Sequence, residues 1–562
     1  MIEITHNTLC EAFLKVHNTK MYTFIEDANV EINILPEDFK AKVMKILHYM
    51  QERGVKPGDE VIFQIKSNID FAYIFWACLL GRFVAVPYNY LETERDKSKL
   101  IKIWSSLKRP FLATDRTSYE KYKEYIYKNN LINDFNNITE KTIITEEMDQ
   151  SDENAEIVFP VESDIAYVQF SSGSTSDPKG IILTHKNIIS SVRGIIKSLD
   201  ISREDIFLSW LPFTHNFGLI GNFIVPLISG LEYYIMPTNL FVANPLFWLK
   251  KLNEHKVTIS AAPNFALKHV CKYLNIQKDI DIDLSPLRVL LNGAEPVSAK
   301  VCYEFINKVA IYGMKDTVIR PSYGMTEATY GITTPRIPKK IKEVNIIRNK
   351  INIGEKIIEG KIENDDVVSF VEVGSSIDCE IKIVDNDGKE VDDEVVGIIL
   401  VRGDNVATEY YCNAEIRKIT DEDGWLNTGD VGFLRNGNLI ITGRAKDIIF
   451  VKGANYYSHD IENICEQVND GDFGKVAVCG IYSHKVKEDQ VFCFVEYTGN
   501  STKFDKISLK LKQYIIKKIG IGIAGVIPIK QIPVTISGKI QRNMLLKQFE
   551  KMDLYGKNRN IT

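Results

Sequence analysis

Short apolar runs and longer amphipathic segments alternate along roughly the first half of the chain. Glu60-Val61-Ile62-Phe63-Gln64-Ile65 and Val84-Ala85-Val86-Pro87 read as strands and flank Phe71 to Leu80, an apolar stretch with helical length. The recurrence of strand, helix, strand predicts α/β architecture with largely buried sheets. Ile165 to Phe170 reads as a further strand, and Ile188, Ile189, Val192, Ile195 and Ile196 carry helical spacing, so the polar segment between them is expected at a strand-to-helix junction. After about Glu372 the texture changes to short strands, with hairpin turns at Asp385-Asn386-Asp387-Gly388 and Asn436-Gly437-Asn438. From Lys446 onward helical and strand segments are mixed.

The polar segment is Ser171-Ser172-Gly173-Ser174-Thr175-Ser176-Asp177-Pro178-Lys179-Gly180. Glycines let backbone N–H groups approach an anion, Ser172, Ser174 and Thr175 add hydroxyl donors, and Lys179 adds charge, a composition suited to phosphate. It is not a Walker loop, in which Gly-Lys is followed by Ser or Thr, because Lys179 precedes Gly180 and Ile181 follows. A Gly/Ser turn is also an ordinary surface connection. Other segments have to decide.

At 562 residues the chain is long enough for about three or four packed units at ~150 residues each. A hydrophobic fraction of 45% and a charged fraction of 25% match globular proteins. The net charge of -5, with lysines scattered among acids, points away from nucleic acid. Nine dispersed cysteines without a C-x-x-C pair read as reduced core thiols of a cytoplasmic protein. The start has no basic region followed by an apolar stretch, and the run Phe71 to Gly81 is shorter than the ~20 residues of a membrane span, so neither a signal peptide nor a stable membrane anchor is expected.

Five further segments settle the loop's meaning. They are Leu291-Asn292-Gly293-Ala294-Glu295-Pro296, Pro321-Ser322-Tyr323-Gly324-Met325-Thr326-Glu327, Trp425-Leu426-Asn427-Thr428-Gly429-Asp430, Thr442-Gly443-Arg444-Ala445-Lys446-Asp447 and Pro533-Val534-Thr535-Ile536-Ser537-Gly538-Lys539. In this order and spacing they resemble the adenylate-forming superfamily of acyl-CoA synthetases, peptide-synthetase adenylation domains and luciferases. Within it, Leu211-Pro212-Phe213-Thr214-His215-Asn216-Phe217-Gly218-Leu219-Ile220-Gly221, Pro263-Asn264-Phe265-Ala266 and Gly453-Ala454-Asn455-Tyr456-Tyr457-Ser458-His459-Asp460-Ile461-Glu462 resemble the fatty acyl-AMP ligases. The interruption from Ala328 to Glu372 is similar to that group's insertion. Its own structure is expected from alternating Ile351 and Ile353 and from Lys356-Ile357-Ile358 before a turn at Glu359-Gly360. Asn216 stands where the group has Asp, Phe217 where it has Met, and Ala261-Ala262 where it has Gly-Gly.

The resemblance implies a large N-terminal adenylate-forming body of stacked αβ subdomains and a β-rich subdomain, residues 1–445, with the insertion at 328–372. A small mobile α+β lid, residues 446–562, follows a hinge at Lys446. It further implies that ATP and a carboxylic acid give an acyl-adenylate and pyrophosphate, with Mg2+. Two anions must meet in that reaction, so positive charge is needed where they join. By resemblance Lys539 bridges the acyl carboxylate and the α-phosphate, Thr326 hydrogen-bonds that phosphate, and Glu327 holds the metal. Ser172, Gly173, Ser174, Thr175 and Lys179 cradle the phosphates. Asp430 takes the ribose hydroxyls with Arg444 beside it. Tyr323, Gly324 and Met325, with Asn292, Gly293, Ala294 and Glu295, form the adenine side. His215, Gly218, Pro263 and Asn264 border the acyl group. With no acidic residue from Leu211 to Gly221 to meet an ammonium, a neutral acid, most naturally a fatty acid, is expected over an amino acid. The expected acceptor is the phosphopantetheine thiol of a separate acyl carrier protein. An acyl- or aryl-CoA ligase is the alternative, and a silent nucleotide or acyl sensor a third reading.

Overall fold

A computed structural model describes residues 2–16, 20–90, 94–131, 138–150, 155–170, 179–276, 280–412, 415–451, 454–469, 471–483, 488–534 and 540–555. Among the described residues two large sheets carry the N-terminal part. One runs in the order Ile319–Pro321, Val289–Asn292, Ile259–Ala261, Ile206–Ser209, Glu232–Ile235, Tyr22–Ile25 and Glu31–Ile34, parallel until its last strand. The other contains the parallel strands Ile165–Phe170, Val84–Pro87, Glu60–Gln64, Pro110–Thr114 and Thr142–Ile144 and is extended antiparallel by Gly180–Thr184, Glu409–Cys412 and Glu415–Lys418.

The helix Asn68–Leu80 starts at Ser67, whose side chain caps Asp70 N–H, and buries every residue from Phe71 to Leu80. Fully burying each of its Phe, Ile and Leu side chains contributes about 1.5–3 kcal/mol. Trp76 stacks on Phe13 at 4.3 Å between centroids, tying this helix to Leu9–Lys15. That is why an apolar run too short for a membrane is apolar on all sides. Among the described residues no helix is long and apolar enough to cross a membrane.

The expected strand-to-helix junction around the Gly/Ser segment is corrected. Phe170 pairs antiparallel with Gly180, so residues 171–178 join two strands, and the helix begins only at His185. Gly180-Ile181-Ile182-Leu183-Thr184 is β-branched and apolar enough to form the return strand, and the Thr184–Asn187 capping box then starts the helix His185–Ser198.

Both hairpin expectations hold. Asp385 N–H bonds to Lys389 C=O after the strand Glu380–Val384. Asn436 and Gly437, at φ 51 and 73, form the two-residue turn between Leu426–Arg435 and Asn438–Arg444. These strands, with Glu380–Val384 and Gly397–Arg402, make a four-stranded antiparallel sheet.

In the interruption the strands are Glu343–Ile347 and Val367–Val371, paired antiparallel, and not the Ile351 to Ile358 stretch. Glu359 bridges Ile346 and so extends this pair where a turn was expected. Val344, Ile346, Ile351, Ile357 and Phe370 share one core with Val431, Phe433 and Ile440 of the four-stranded sheet and with Tyr457 beyond Lys446. Ala328 to Thr334 are not part of this unit, because Thr333-Thr334 pair with Ser375-Ser376, and Tyr330, Gly331 and Thr334 line the site described below.

After the turn Ala445–Asp447, a two-stranded ribbon leads into the helix Ser458–Glu466. A sheet of Val476–Ser483, Glu488–Glu496 and Ile523–Ile529 follows, backed by the long helix Ser501–Ile519, with a core of its own around Val478, Cys493 and Leu511. No cysteine is disulfide-bonded, and seven of the nine are buried, consistent with core thiols.

Candidate active site

One cavity gathers part of the expected set. Ile195, Leu199, Leu291, Phe217, Tyr330 and Ile377 give it apolar walls, and Tyr323, Thr326, Glu327 and Arg444 give it a polar end. Of the expected residues, His215, Gly293, Ala294, Gly324 and Met325 also line it, with Asn216 beside them.

The polar end is built by strand pairing. Asp430 and Arg444 face each other across the hairpin, where a register shift beside Val431 re-aims the strand, and Arg444 Nε lies 3.0 Å from Asp430 Oδ1. Tyr323 donates its phenol to the other carboxylate oxygen at 2.6 Å. Burial and the adjacent Asp430 charge push that phenol well above its ordinary value, so it remains a donor. Asp430 is thereby held with its two oxygens fixed, one on Tyr323 and one on Arg444, a pre-aligned acceptor for a pair of neighbouring hydroxyls.

Thr326 and Glu327 sit on a single 3-10 turn, Thr326–Ala328, and Ala407 N–H bonds to Glu327 C=O at 2.8 Å. Both residues line the cavity. Magnesium usually takes one or two carboxylates and completes its shell from phosphate and water oxygens, so the Glu327 carboxylate fits it, with the Thr326 hydroxyl beside it free to meet a phosphate oxygen. Glu31, Glu254 and His255 also cluster, but the Lys251 ammonium lies 2.6 Å from Glu31 and 2.9 Å from Glu254, filling the position of a cation.

His215 caps the short helix Asn216–Leu219, its Nδ1 accepting Phe217 N–H at 3.1 Å. The helix continues as a π turn, Ile220–Ile224, into Val225–Ile228. Pro226 has no N–H to donate to the Asn222 carbonyl, and Asn222 donates its side-chain amide to Phe217 C=O at 2.8 Å, two local reasons for the wider turn.

Other expected site residues lie outside the lining. The Asn292 amide donates to Ala262 C=O at 2.8 Å, Asn264 donates to Pro296 C=O at 2.5 Å, and Glu295 accepts Phe265 N–H at 2.8 Å. Together with Pro263 at the N-terminus of the helix Asn264–Leu274, these groups brace the strand-to-helix connections behind the cavity. Gly218 is braced likewise, since a Cβ there would stand 2.4 Å from Pro212 C=O. Lys179 Nζ lies 5.1 Å from the Tyr410 ring centroid, and neither residue is among those lining the cavity. Lys446 is exposed in the turn Ala445–Asp447. Ser172, Gly173, Ser174, Thr175 and Lys539 lie outside the described residues. Ser322, Tyr330 and Thr334 line the cavity without having been singled out in the sequence. Tyr330 and Thr334 fall inside the interval assigned to the insertion, and only their closeness to the Thr326-Glu327 motif could have marked them.

Comparison with known proteins follows the same lines. The family model described as AMP-binding enzyme matches residues 37–411. The chain is 28% identical over 556 residues to the medium-chain-fatty-acid acyl-carrier-protein ligase JamA of Moorena producens, covering 94% of this chain and 92% of that protein. It is 31% identical over 410 residues to the 4-hydroxyphenylalkanoate adenylyltransferase of Mycobacterium marinum, covering 69% and 66%. A solved structure from work on the fatty acyl-adenylate ligases of E. coli and L. pneumophila superposes with a TM-score of 0.86 at 25% identity, covering 98% of this chain and 99% of that one. The chain belongs to the AMP-binding enzyme family, in its fatty acyl-AMP ligase-like group.

Proposed function

We propose that the enzyme activates a fatty acid with ATP and then passes the acyl group to the thiol of a separate acyl carrier protein. A carboxylate oxygen attacks the α-phosphorus, the bond to pyrophosphate breaks, and acyl-AMP forms. The thiol sulfur then attacks the acyl carbon, giving a thioester and AMP. The observation that carries this reading is the continuity of one cavity, polar around Tyr323, Thr326, Glu327 and Arg444 and apolar around Phe217, Leu291, Ile195 and Leu199. Among the described lining residues Glu327 is the one carboxylate, so the acyl end offers no partner for an amino acid's ammonium group.

In this reading Asp430 takes the ribose hydroxyls, Tyr323 flanks the adenine, Thr326 hydrogen-bonds the α-phosphate, and Glu327 would hold magnesium, which would offset negative charge there. Ser172 to Thr175 and Lys179 hold the phosphates, and Lys539 neutralises the attacking carboxylate. His215 borders that carboxylate. The body runs to about Ala445, and the lid turns about Lys446 to withdraw Lys539 once the adenylate has formed. Nine free thiols and the need for ATP suit the cytoplasm.

The acceptor follows from the interruption. Its core joins the four-stranded sheet to Tyr457, so a large rotation of the lid must break that packing. Small free CoA supplies little binding energy for this, whereas a carrier protein can supply more through its own contacts.

The test is pyrophosphate release by the full chain across fatty, aryl and amino acids, with the product identified by mass. Free CoA and phosphopantetheinylated carrier protein are then offered as acceptors. Fatty acyl-AMP that is consumed by the carrier and not by CoA is the expected result. Acyl-CoA formed as fast as acyl-AMP makes the enzyme a CoA ligase, and preference for a hydroxyphenylalkanoate would make it an aryl-acid enzyme.

A further inference from the structure

Arg320, on the strand Ile319–Pro321, is 3% exposed, and its Nε and Nη1 have no hydrogen-bond partner among the described residues. A guanidinium withdrawn from water without an anion is among the costliest groups a core can hold. The neighbouring arginine has its own acid. Arg288 is gripped by Asp205, Nε to Oδ1 at 2.7 Å and Nη2 to Oδ2 at 2.6 Å, and the Thr258 hydroxyl donates to the same carboxylate at 2.7 Å. Burial, with the like charge of Arg288, lowers the Arg320 pKa to about 10, which leaves it a cation at neutral pH.

Three relationships place this cation behind the apolar end of the cavity. Arg320 is the register partner of Leu291 in a parallel pair, so both side chains stand on one face of the sheet, and Leu291 lines the cavity. Ser322, two residues further along the same extended chain, lines it too. Arg288, whose charge acts on Arg320, donates to Leu199 C=O at 2.9 Å, and Leu199 lines the cavity with Ile195. The helix adds a second polar atom: Ser198 shares a face with Ile195, three residues earlier, and its buried hydroxyl also has no partner among the described residues. Arg320 is not among the lining residues, so a ligand meets it only at the full depth of the cavity.

We propose that Arg320 receives a second carboxylate at the far end of the acid, so that the site is built for α,ω-dicarboxylic acids. This rests on the fatty-acid reading above and narrows it. One carboxylate meets the α-phosphate at the polar end, and the distal one pairs with Arg320, with the Ser198 hydroxyl as a further donor. Between walls of Ile195, Leu199 and Leu291 a distal carboxylate is excluded unless a cation meets it, while a methyl end leaves the guanidinium unpaired. Two fixed charged ends also select one length, so turnover should peak sharply along a diacid series, where plain acids gain gradually with each buried methylene.

The experiment measures pyrophosphate release by the full chain with straight-chain diacids, their monomethyl esters, ω-hydroxy acids and plain monoacids of six to sixteen carbons. Wild type should prefer one diacid over the monoacid and the monomethyl ester of equal length. Arg320→Met, similar in length and uncharged, should lower the diacid-to-monoacid ratio of kcat/KM by roughly 10²-fold or more, as expected when a buried charged partner is lost. Arg320→Lys keeps a cation and should retain part of the preference. In urea Arg320→Met should be no less stable than wild type, because it removes an unpaired buried charge. A variant that loses stability and keeps the wild-type ratio would make Arg320 a structural residue and overturn the proposal. So would a wild type that turns over monoacids or ω-hydroxy acids better than every diacid, an outcome that leaves the fatty-acid reading standing. If neither monoacids nor diacids support pyrophosphate release by wild type, that reading fails and takes this proposal with it.

Discussion

Arg348 in the interruption and Asp460 in the C-terminal segment form an ion pair with both side chains nine-tenths buried, Nε to Oδ2 at 2.6 Å. Arg348 also donates to the carbonyls of Asp365 at 2.9 Å and Val367 at 3.2 Å, so its guanidinium closes the end of the inserted strand pair while gripping the helix Ser458–Glu466. Asp365 makes a second tie to Lys518 on the helix Ser501–Ile519. A pair that spans two parts of a chain stabilises one arrangement of them, and its removal is felt as lost docking.

Arg348→Ala should therefore destabilise the protein by about 3–5 kcal/mol, because Asp460 is left buried without its partner. Replacing both, Arg348→Met with Asp460→Leu, should recover most of that loss. Urea unfolding of the single and double variants checks this, and equal losses in both would show that the pair itself is not the source.

Much of this architecture was legible in the sequence and some was not, for identifiable reasons. The Asn436-Gly437 turn needs positive φ twice in succession and allows few other structures, so local chemistry fixed it. The apolar stretch ending at Leu80 could only be a fully buried helix. The Gly180–Thr184 strand was missed because so short a run directly precedes a helix, and the pairing of Gly180–Thr184 with Ile165–Phe170 is not a local property. In the interruption, alternation at Ile351 and Ile353 mimicked a strand, while the true strands Glu343–Ile347 and Val367–Val371 are held by each other. Tyr323, Thr326 and Glu327 reach one cavity wall because they lie on a single short connection after the strand Ile319–Pro321. Tyr330 escaped because its placement depends on the backbone at Thr329, at φ 61, which no residue pattern encodes.

Asp430→Asn should raise the KM for ATP by about tenfold to a hundredfold, the cost of weakening a pair of hydrogen bonds to a charged acceptor at ~1.5–3 kcal/mol. Tyr323→Phe removes the 2.6 Å bond that holds Asp430 but leaves the ring face, so its effect should be smaller. Steady-state kinetics with ATP varied decides the order. An unchanged KM in Asp430→Asn would remove Asp430 from the nucleotide site.

Glu327→Gln keeps the shape of the turn Thr326–Ala328 and removes the charge. Adenylation should fall by roughly 10²-fold, with the magnesium concentration for half-maximal rate moving upward. Lys539→Ala should cost a similar ~3 kcal/mol in adenylation without altering the magnesium dependence, since the resemblance gives it charge stabilisation and no metal contact. Magnesium titrations of both variants separate the two roles.

His185 gives the fold a defined response to acid. It stands at the start of the helix His185–Ser198, 1% exposed, with Nδ1 accepting Leu9 N–H at 3.2 Å. Burial lowers its pKa to about 4 from 6.5, and the nearby Asp164 opposes this only in part. The unfolded chain thus binds a proton on His185 at a pH where the folded protein does not. Above pH 6.5 both states are neutral and the contribution is complete. As pH falls from 6.5 toward about 4 the unfolded state is favoured progressively, by about 3 kcal/mol at the lower end. In His185→Asn the side-chain oxygen can still accept from Leu9 N–H, yet nothing titrates. The variant should be less stable than wild type above pH 6.5 because it packs less well, and the gap should narrow or reverse as pH is lowered. Urea unfolding of both proteins across this range provides the check. A stability difference that is constant with pH would mean that His185 carries the same protonation in the folded and unfolded states.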